Sequence, residues 1–263
     1  MKNSLTDKTN IERLAFTSDS GVGARARIGL LVLESDQTME WEMRMMTHLP
    51  GVSVYHARLA NDVIVTPDTL AKMEVELPKA AKLLPQYIGM KAIGYGCTSG
   101  ATIIGEAKVA AIMDRLHPNV PSTNPLTAAK SALATLGVCR LGLVTPYAPN
   151  VTQALQERFA EVGIHVTNVG SFYQDNDEIV GRIAPKAIFD AVIRVGSSTK
   201  VDGVFVSCTS LRAATIIQNA ENALGKPVTA SNHALAWHLL RLAGIPDDIA
   251  GFGQLFHTHP LQR

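Results

Sequence analysis

The 263-residue sequence predicts an α/β protein of two similar lobes, and three observations carry that prediction. Short apolar runs alternate with longer stretches whose apolar residues recur three and four apart, as buried parallel strands and their covering helices do. Several short motifs occur twice, in the same order and at nearly one offset. With 46% hydrophobic and 18% charged residues, the chain has material for one large core or two modest ones.

Residues 1–26 are polar and lack a sustained period, so they read as a flexible arm. Apolar runs then predict strands at Ile28 to Leu33, Val52 to Tyr55, Ala92 to Tyr95, Leu141 to Thr145, Val166 to Val169 and Val204 to Ser207. Between them, helical spacing predicts helices over Thr38 to Met46, Thr69 to Leu84, Ala101 to Leu116, Leu126 to Leu136, Val151 to Val162, Pro185 to Val195, Leu211 to Leu224 and Ala234 to Ala243. Alternation of this kind calls for parallel sheets covered on both faces.

The repeat sets the domain expectation. Arg27-Ile28-Gly29-Leu30 matches Arg140-Leu141-Gly142-Leu143 at an offset of 113 residues. Cys97-Thr98-Ser99 matches Cys208-Thr209-Ser210 at 111, and Asn124, after Pro121, matches Asn232, after Pro227, at 108. We therefore expect lobe 1 over 27–124, completed by 232–256, lobe 2 over 125–231, and a tail over 257–263. Each Asn-containing segment is expected after a strand, where the chain crosses between lobes.

Composition narrows the partners. Lys and Arg total 24 against 23 Asp and Glu, a formal charge of +1 without a basic stripe, so nucleic acid is not an expected partner. No apolar run reaches the roughly 18 to 20 residues of a membrane helix, so no membrane partner is expected. Three cysteines are too few and too far apart for a disulfide framework, and no signal peptide is recognisable, which points to a reducing cytoplasm. A small molecule is the expected ligand.

The doubled cysteine motif carries the chemistry. Cys97 and Cys208 each end an apolar run and precede Thr-Ser and a helical pattern, so each thiol is expected at a strand-to-helix turn, where α/β folds bind ligands. Free N–H groups and partial positive charge at a helix start favour a thiolate and a substrate carboxylate. Two such lobes facing one another place a thiol on each side of a cleft, one to attack or deprotonate a carbon and one to donate a proton. The plainer reading of a single such cysteine is a small buried hydrophobe; the matched setting favours the catalytic one. Cys139 has no matched motif and reads as structural.

Gly96-Cys97-Thr98-Ser99-Gly100, Cys208-Thr209-Ser210, Thr145-Pro146-Tyr147 and Asp175-Asn176-Asp177-Glu178-Ile179-Val180-Gly181 together resemble the aspartate/glutamate racemase superfamily. The likeness is greatest to its maleate cis-trans isomerase and ectoine-utilisation (EutA-like) branch and spans Arg27 to Phe252. It implies two Rossmann-like lobes related by pseudo-twofold symmetry, an active site in the cleft between them, no cofactor, no metal, and a homodimer or homotetramer. It also implies Cys97 as nucleophile, Cys208 as acid/base partner, and Tyr147 and Asn176 as holders of substrate carboxylate oxygens. Thr98, Ser99, Thr209 and Ser210 complete the expected binding site.

Asp36 departs from the isomerase pattern, whose segment after the first strand carries an asparagine there. An ionised Asp only accepts hydrogen bonds and repels a carboxylate unless it is protonated or paired. It suits an ammonium instead, or it caps the helix beginning near Thr38. Arylmalonate decarboxylases resemble this chain at the second cysteine but lack the first, which places isomerase or racemase ahead of decarboxylase.

Other signals are weaker. Gly94, Gly96 and Gly100 miss the dinucleotide fingerprint by one residue. His257 and His259 fall in the expected tail, His233 and His238 lie five apart, and Ser197 to Lys200 reads as a turn. Met39, Met43 and Met46 suit packing or a pocket wall. The expected function is a cofactor-independent two-cysteine isomerase or racemase of a small carboxylate, maleate first. Alternatives are an amino- or acylamino-acid racemase-type enzyme of ectoine degradation, an arylmalonate decarboxylase-like enzyme, and a non-catalytic ligand-binding module on the same fold.

Overall fold

The structure, a computed structural model, describes residues 11–259. The chain begins its regular structure with β1 (Ala26–Leu33), α1 (Met39–Thr47), β2 (Val52–Leu59), α2 (Pro67–Ala81), β3 (Ala92–Gly96), α3 (Thr98–Ile104), α4 (Glu106–Leu116) and β4 (Ser122–Thr123). It continues through α5 (Pro125–Thr135), β5 (Arg140–Thr145), α6 (Pro149–Ala160), β6 (His165–Ser171), α7 (Asp177–Val180), α8 (Pro185–Gly196) and β7 (Gly203–Val206). A 3-10 turn (Ala214–Ile216), α9 (Ile217–Leu224), β8 (Val228–Ala230), α10 (Ser231–Leu242) and a second 3-10 turn (Gln254–His257) complete it.

Two four-stranded parallel sheets result, in the orders β2-β1-β3-β4 and β6-β5-β7-β8. The orders correspond strand for strand, so the motif repeat is also a repeat of topology. Central strands β1, β3, β5 and β7 are almost wholly buried, which explains their continuous apolar runs. The edge strands differ from the expectation of full cover. At one edge of each sheet β2 and β6 are mostly half-buried or exposed, whereas β8, at the opposite edge of the second sheet, is buried.

Local chemistry sets the helix starts. Thr66 and Thr69 form a reciprocal capping box before α2, with Pro67 in the first turn. Asn124 accepts the Leu126 and Thr127 N–H groups at 3.0 Å before α5, satisfying donors a helix start leaves free. The last helix, α10, packs on α5, α1 and β3 and touches β8. At Gly94 on β3 the approach is close enough that a Cβ would lie 3.0 Å from Leu239.

Several boundaries correct the sequence expectations. Ala101 to Leu116 divides at Gly105, whose φ of 96° an L side chain rarely adopts. Leu211 to Leu224 becomes helical only at Ala214. The strands β4 and β8 are two and three residues long, too short for a periodicity to register. Cys139, read as structural, is an exposed free thiol.

Residues 11–22 of the expected arm are exposed and lack regular structure; residues 1–10 lie outside the described region. The expected tail starts inside the fold, since Thr258 O accepts the indole N–H of Trp237 and the Nε–H of Arg241. Residues 260–263 lie outside the described region. No helix among the described residues is long and apolar enough to cross a membrane.

Candidate active site

Cys97 follows the last residue of β3 and caps α3, its Sγ accepting the Gly100 N–H at 3.2 Å and lying 3.6 Å from Ser99 Oγ. A Cβ at position 100 would sit 2.2 Å from Tyr95 Oη and 3.0 Å from Cys97 Sγ. Glycine there lets the thiol, the phenol and the helix start converge.

Cys208 follows β7 but does not begin a helix. Its φ is +114°, a strained value for a residue with a Cβ, and the chain runs through a turn before becoming helical at Ala214. The expectation of two equivalent helix-start thiols therefore holds for Cys97 alone. Ser231, the first residue of α10, accepts the Cys208 N–H at 3.0 Å, and its Oγ lies 2.7 Å from Thr98 Oγ1.

Both thiols line one small cavity of about 20 Å³, room for roughly one water. Thr98, Ser99, Thr209 and Tyr147 share its wall, with Leu33, Leu70 and Met73 giving it an apolar side. Tyr147 is buried, with Oη accepting a 3.4 Å hydrogen bond from Ser207 Oγ. Ser210 stands behind the wall and donates to Asp177 Oδ1 at 2.7 Å. Met39, Met43 and Met46 are buried core residues that do not line the cavity, and His233 is buried in packing contacts.

Asn176 is placed differently from the expectation. Its Oδ1 caps α7, accepting the Glu178 and Ile179 N–H groups at 3.0 and 3.3 Å, and the next residue, Asp177, lines the cavity. Asp177 Oδ2 accepts Ser35 Oγ at 2.5 Å. Asp36 is buried and caps α1, accepting the Thr38 and Met39 N–H groups at 2.7 and 2.8 Å, and it does not line the cavity.

The roof was not foreseen. Asn61, Asp62 and Val65, between β2 and α2, cover the cavity and are tied to the second sheet's side of the molecule. Val65 N–H donates to Asp175 O at 2.7 Å, Asp177 N–H donates to Val63 O at 2.9 Å, and Ile64 forms an antiparallel bridge with Asn176. The adjacent Asn61-Asp62 pair was the available signal, but it reads as an ordinary turn.

Electrostatics also differ from the expectation. Burial pushes the Cys97 thiol up to about 11, against the lowering effect of the Ser99 hydroxyl and the Gly100 N–H. Burial likewise raises Cys208 well above the usual thiol range, with Asp177 next in effect. The start of the seven-residue α3 does not overcome desolvation. Among the described residues no Lys, Arg or His lines the cavity, while Asp62 and Asp177 do.

Paired sheets of one topology, with a buried cysteine from each beside a common cavity, define a two-lobed α/β fold with a two-thiol site. The chain belongs to the arylmalonate decarboxylase family, whose model matches residues 63–256. It is 24% identical over 242 residues to a maleate isomerase of Geobacillus stearothermophilus, covering 87% of this chain and 96% of that one. To an arylmalonate decarboxylase of Bordetella bronchiseptica it is 32% identical over 139 residues, 52% of this chain and 58% of that one. Among solved structures, a Nocardia farcinica maleate cis-trans isomerase mutant with a covalently bound succinylcysteine intermediate superposes with a TM-score of 0.80 at 23% identity. The match covers 88% of this chain and 98% of that one. A liganded double mutant of arylmalonate decarboxylase gives 0.79 at 26% identity, with 88% and 99% covered.

Proposed function

We propose that the protein is a cofactor-independent cis-trans isomerase of a small unsaturated dicarboxylate, with maleate the leading substrate. The observation that carries this reading is that Cys97 and Cys208, from equivalent positions of two sheets, line one cavity. The near full-length similarity to maleate isomerases supports it.

In this reading the pair works with one proton between the two sulfurs. Cys97 thiolate forms a C–S bond to one alkene carbon, and the displaced π pair takes the proton of Cys208 at the other carbon. Rotation follows about what is now a single bond. Cys208 thiolate then recovers the proton, the double bond re-forms and the C–S bond breaks. Because burial holds both groups as thiols, one proton must leave the pair before addition. Thr98, Ser99, Tyr147 and Thr209 offer hydroxyls to substrate oxygens, and Ser210 and Asn176 support the wall from behind.

The lobes we propose are 27–124 with 232–256 and 125–231, supported by the two sheets and by the packing of α10 on β3. A cytoplasmic setting is supported by three free cysteines, and a homodimer or homotetramer by the family resemblance.

A specific observation favours a second reading. Asp177 in the wall, with Asp36 nearby and no cation among the described residues lining the cavity, suits an amino-bearing carboxylate handled by two-faced proton transfer, as in an EutA-like enzyme. Proton NMR in D2O with maleate separates the two. Fumarate formed by the intact protein and not by Cys97→Ser supports isomerisation. Unchanged maleate, with deuterium entering the α-position of an amino acid such as aspartate, supports the second reading instead.

A further inference from the structure

We propose that Ser231 and Asn232, at the start of α10, with Glu42 of α1 behind them, are positioning residues that hold the Cys208 turn in its strained conformation. The inference rests on Cys208 being one of the two working thiols.

Cys208 keeps a φ of +114° without the freedom of glycine, and such a conformation persists only where its surroundings over-determine it. Its neighbours are gripped one after another. Ser231 Oγ accepts the Cys208 N–H at 3.0 Å, Asn232 Nδ2 donates to Thr209 O at 2.7 Å, and Thr38 Oγ1 donates to Ser210 O at 2.8 Å. Glu42 closes the set. Its Oε1 accepts the Ala214 N–H at 2.8 Å, and its Oε2 accepts the second Asn232 Nδ2 proton at 2.8 Å.

Asn232 thus uses both amide protons, one on each side, and is 1% exposed. An Asp of the same shape supplies neither proton and sets a second carboxylate against Glu42. None of Ser231, Asn232 and Glu42 lines the cavity, so they act on the reaction through Cys208. Their side chains come from the helix that also covers β3 and from α1, so the turn after β7 is shaped by elements packed on the first sheet.

The test uses the full chain carrying Cys139→Ser, which removes the exposed thiol, with iodoacetamide labelling of the other two cysteines followed by mass spectrometry. In Asn232→Asp and in Ser231→Ala, the Cys208 labelling rate is expected to change at least about fivefold while Cys97 changes less than about twofold. On the substrate the parent turns over, kcat is expected to fall about tenfold to a hundredfold with KM little changed, as a displaced catalytic group gives. Should Asn232→Asp fail to fold, Ser231→Ala carries the test, since it deletes one oxygen. Equal change at both thiols, or an unchanged Cys208 rate, overturns the proposal. If Cys208→Ser leaves turnover intact while the selective labelling change persists, the positioning inference stands and the two-thiol reading falls.

Discussion

The hydroxyl oxygens of Thr98 and Ser231 lie 2.7 Å apart although 133 positions separate them, and Ser231 also receives the Cys208 N–H. One small side chain therefore joins the residue after the first cysteine to the backbone of the second. The contact ties the start of α3 to the turn after β7 from behind the cavity, since Ser231 itself does not line it.

Tyr147 is the one phenol lining the cavity among the described residues. If its hydroxyl holds a substrate oxygen, Tyr147→Phe keeps the ring and loses one hydrogen bond. A fall of about tenfold in kcat/KM is expected, equivalent to about 1.4 kcal/mol, with the thermal midpoint nearly unchanged. Steady-state kinetics beside a melting curve check it.

Asp177 places negative charge near both thiols and raises them, after burial has done so. Asp177→Asn removes that charge, so each thiol titrates lower and the rising limb of the pH–rate profile shifts to lower pH. On maleate the variant should bind a dianion more tightly, seen as a lower KM. If the physiological substrate carries an ammonium, the same change instead weakens it by about tenfold or more, as loss of a charged hydrogen bond does.

Glu42 is buried, and desolvation raises its carboxyl from 4.5 to about 7. Between those values the native state holds a proton that the unfolded state has released, so this group's stabilising contribution is complete below 4.5 and is lost as pH rises to about 7. The loss is on the order of 3 kcal/mol. Urea unfolding across that pH range should show stability declining in the parent and declining less in Glu42→Gln. An identical slope in both proteins contradicts the assignment.

Gly100→Ala tests the closeness of the site. The added Cβ meets Tyr95 Oη at 2.2 Å and Cys97 Sγ at 3.0 Å, and overpacking of this sort costs about 1 to 3 kcal/mol. Reduced urea stability together with lost turnover is expected. A fully active, equally stable variant would mean that the phenol moves freely.

Much of this architecture was legible in the sequence because buried central strands must be apolar throughout, and β1, β3, β5 and β7 all announced themselves that way. The motif repeat correctly paired β1 with β5 and β3 with β7. Short β4 and β8 escaped, since two or three residues cannot display a period. At the site, the structure brings Cys97, Cys208, Thr98, Ser99, Thr209 and Tyr147 together around one cavity. The Cys208 turn was misread as a helix start because Leu211 to Leu224 has helical spacing that the backbone takes up only from Ala214. Asn176 and Asp177 could not be told apart without the cap that turns one amide toward α7. The roof at Asn61 to Val65 depends on hydrogen bonds to residues more than a hundred positions away, which no local pattern records.

The covering of β3 by α10 bears on how the protein is made. During synthesis, Gly94 and its strand neighbours emerge more than a hundred residues before Leu235 and Leu239, the side chains that pack over Gly94. At about 5 to 20 residues per second, roughly 5 to 30 seconds pass with that apolar face of the first sheet uncovered on the ribosome. A nascent chain stalled before Ser231 should therefore present a sticky sheet and an unformed second thiol turn, making it a client for chaperones and catalytically silent until the last helix arrives.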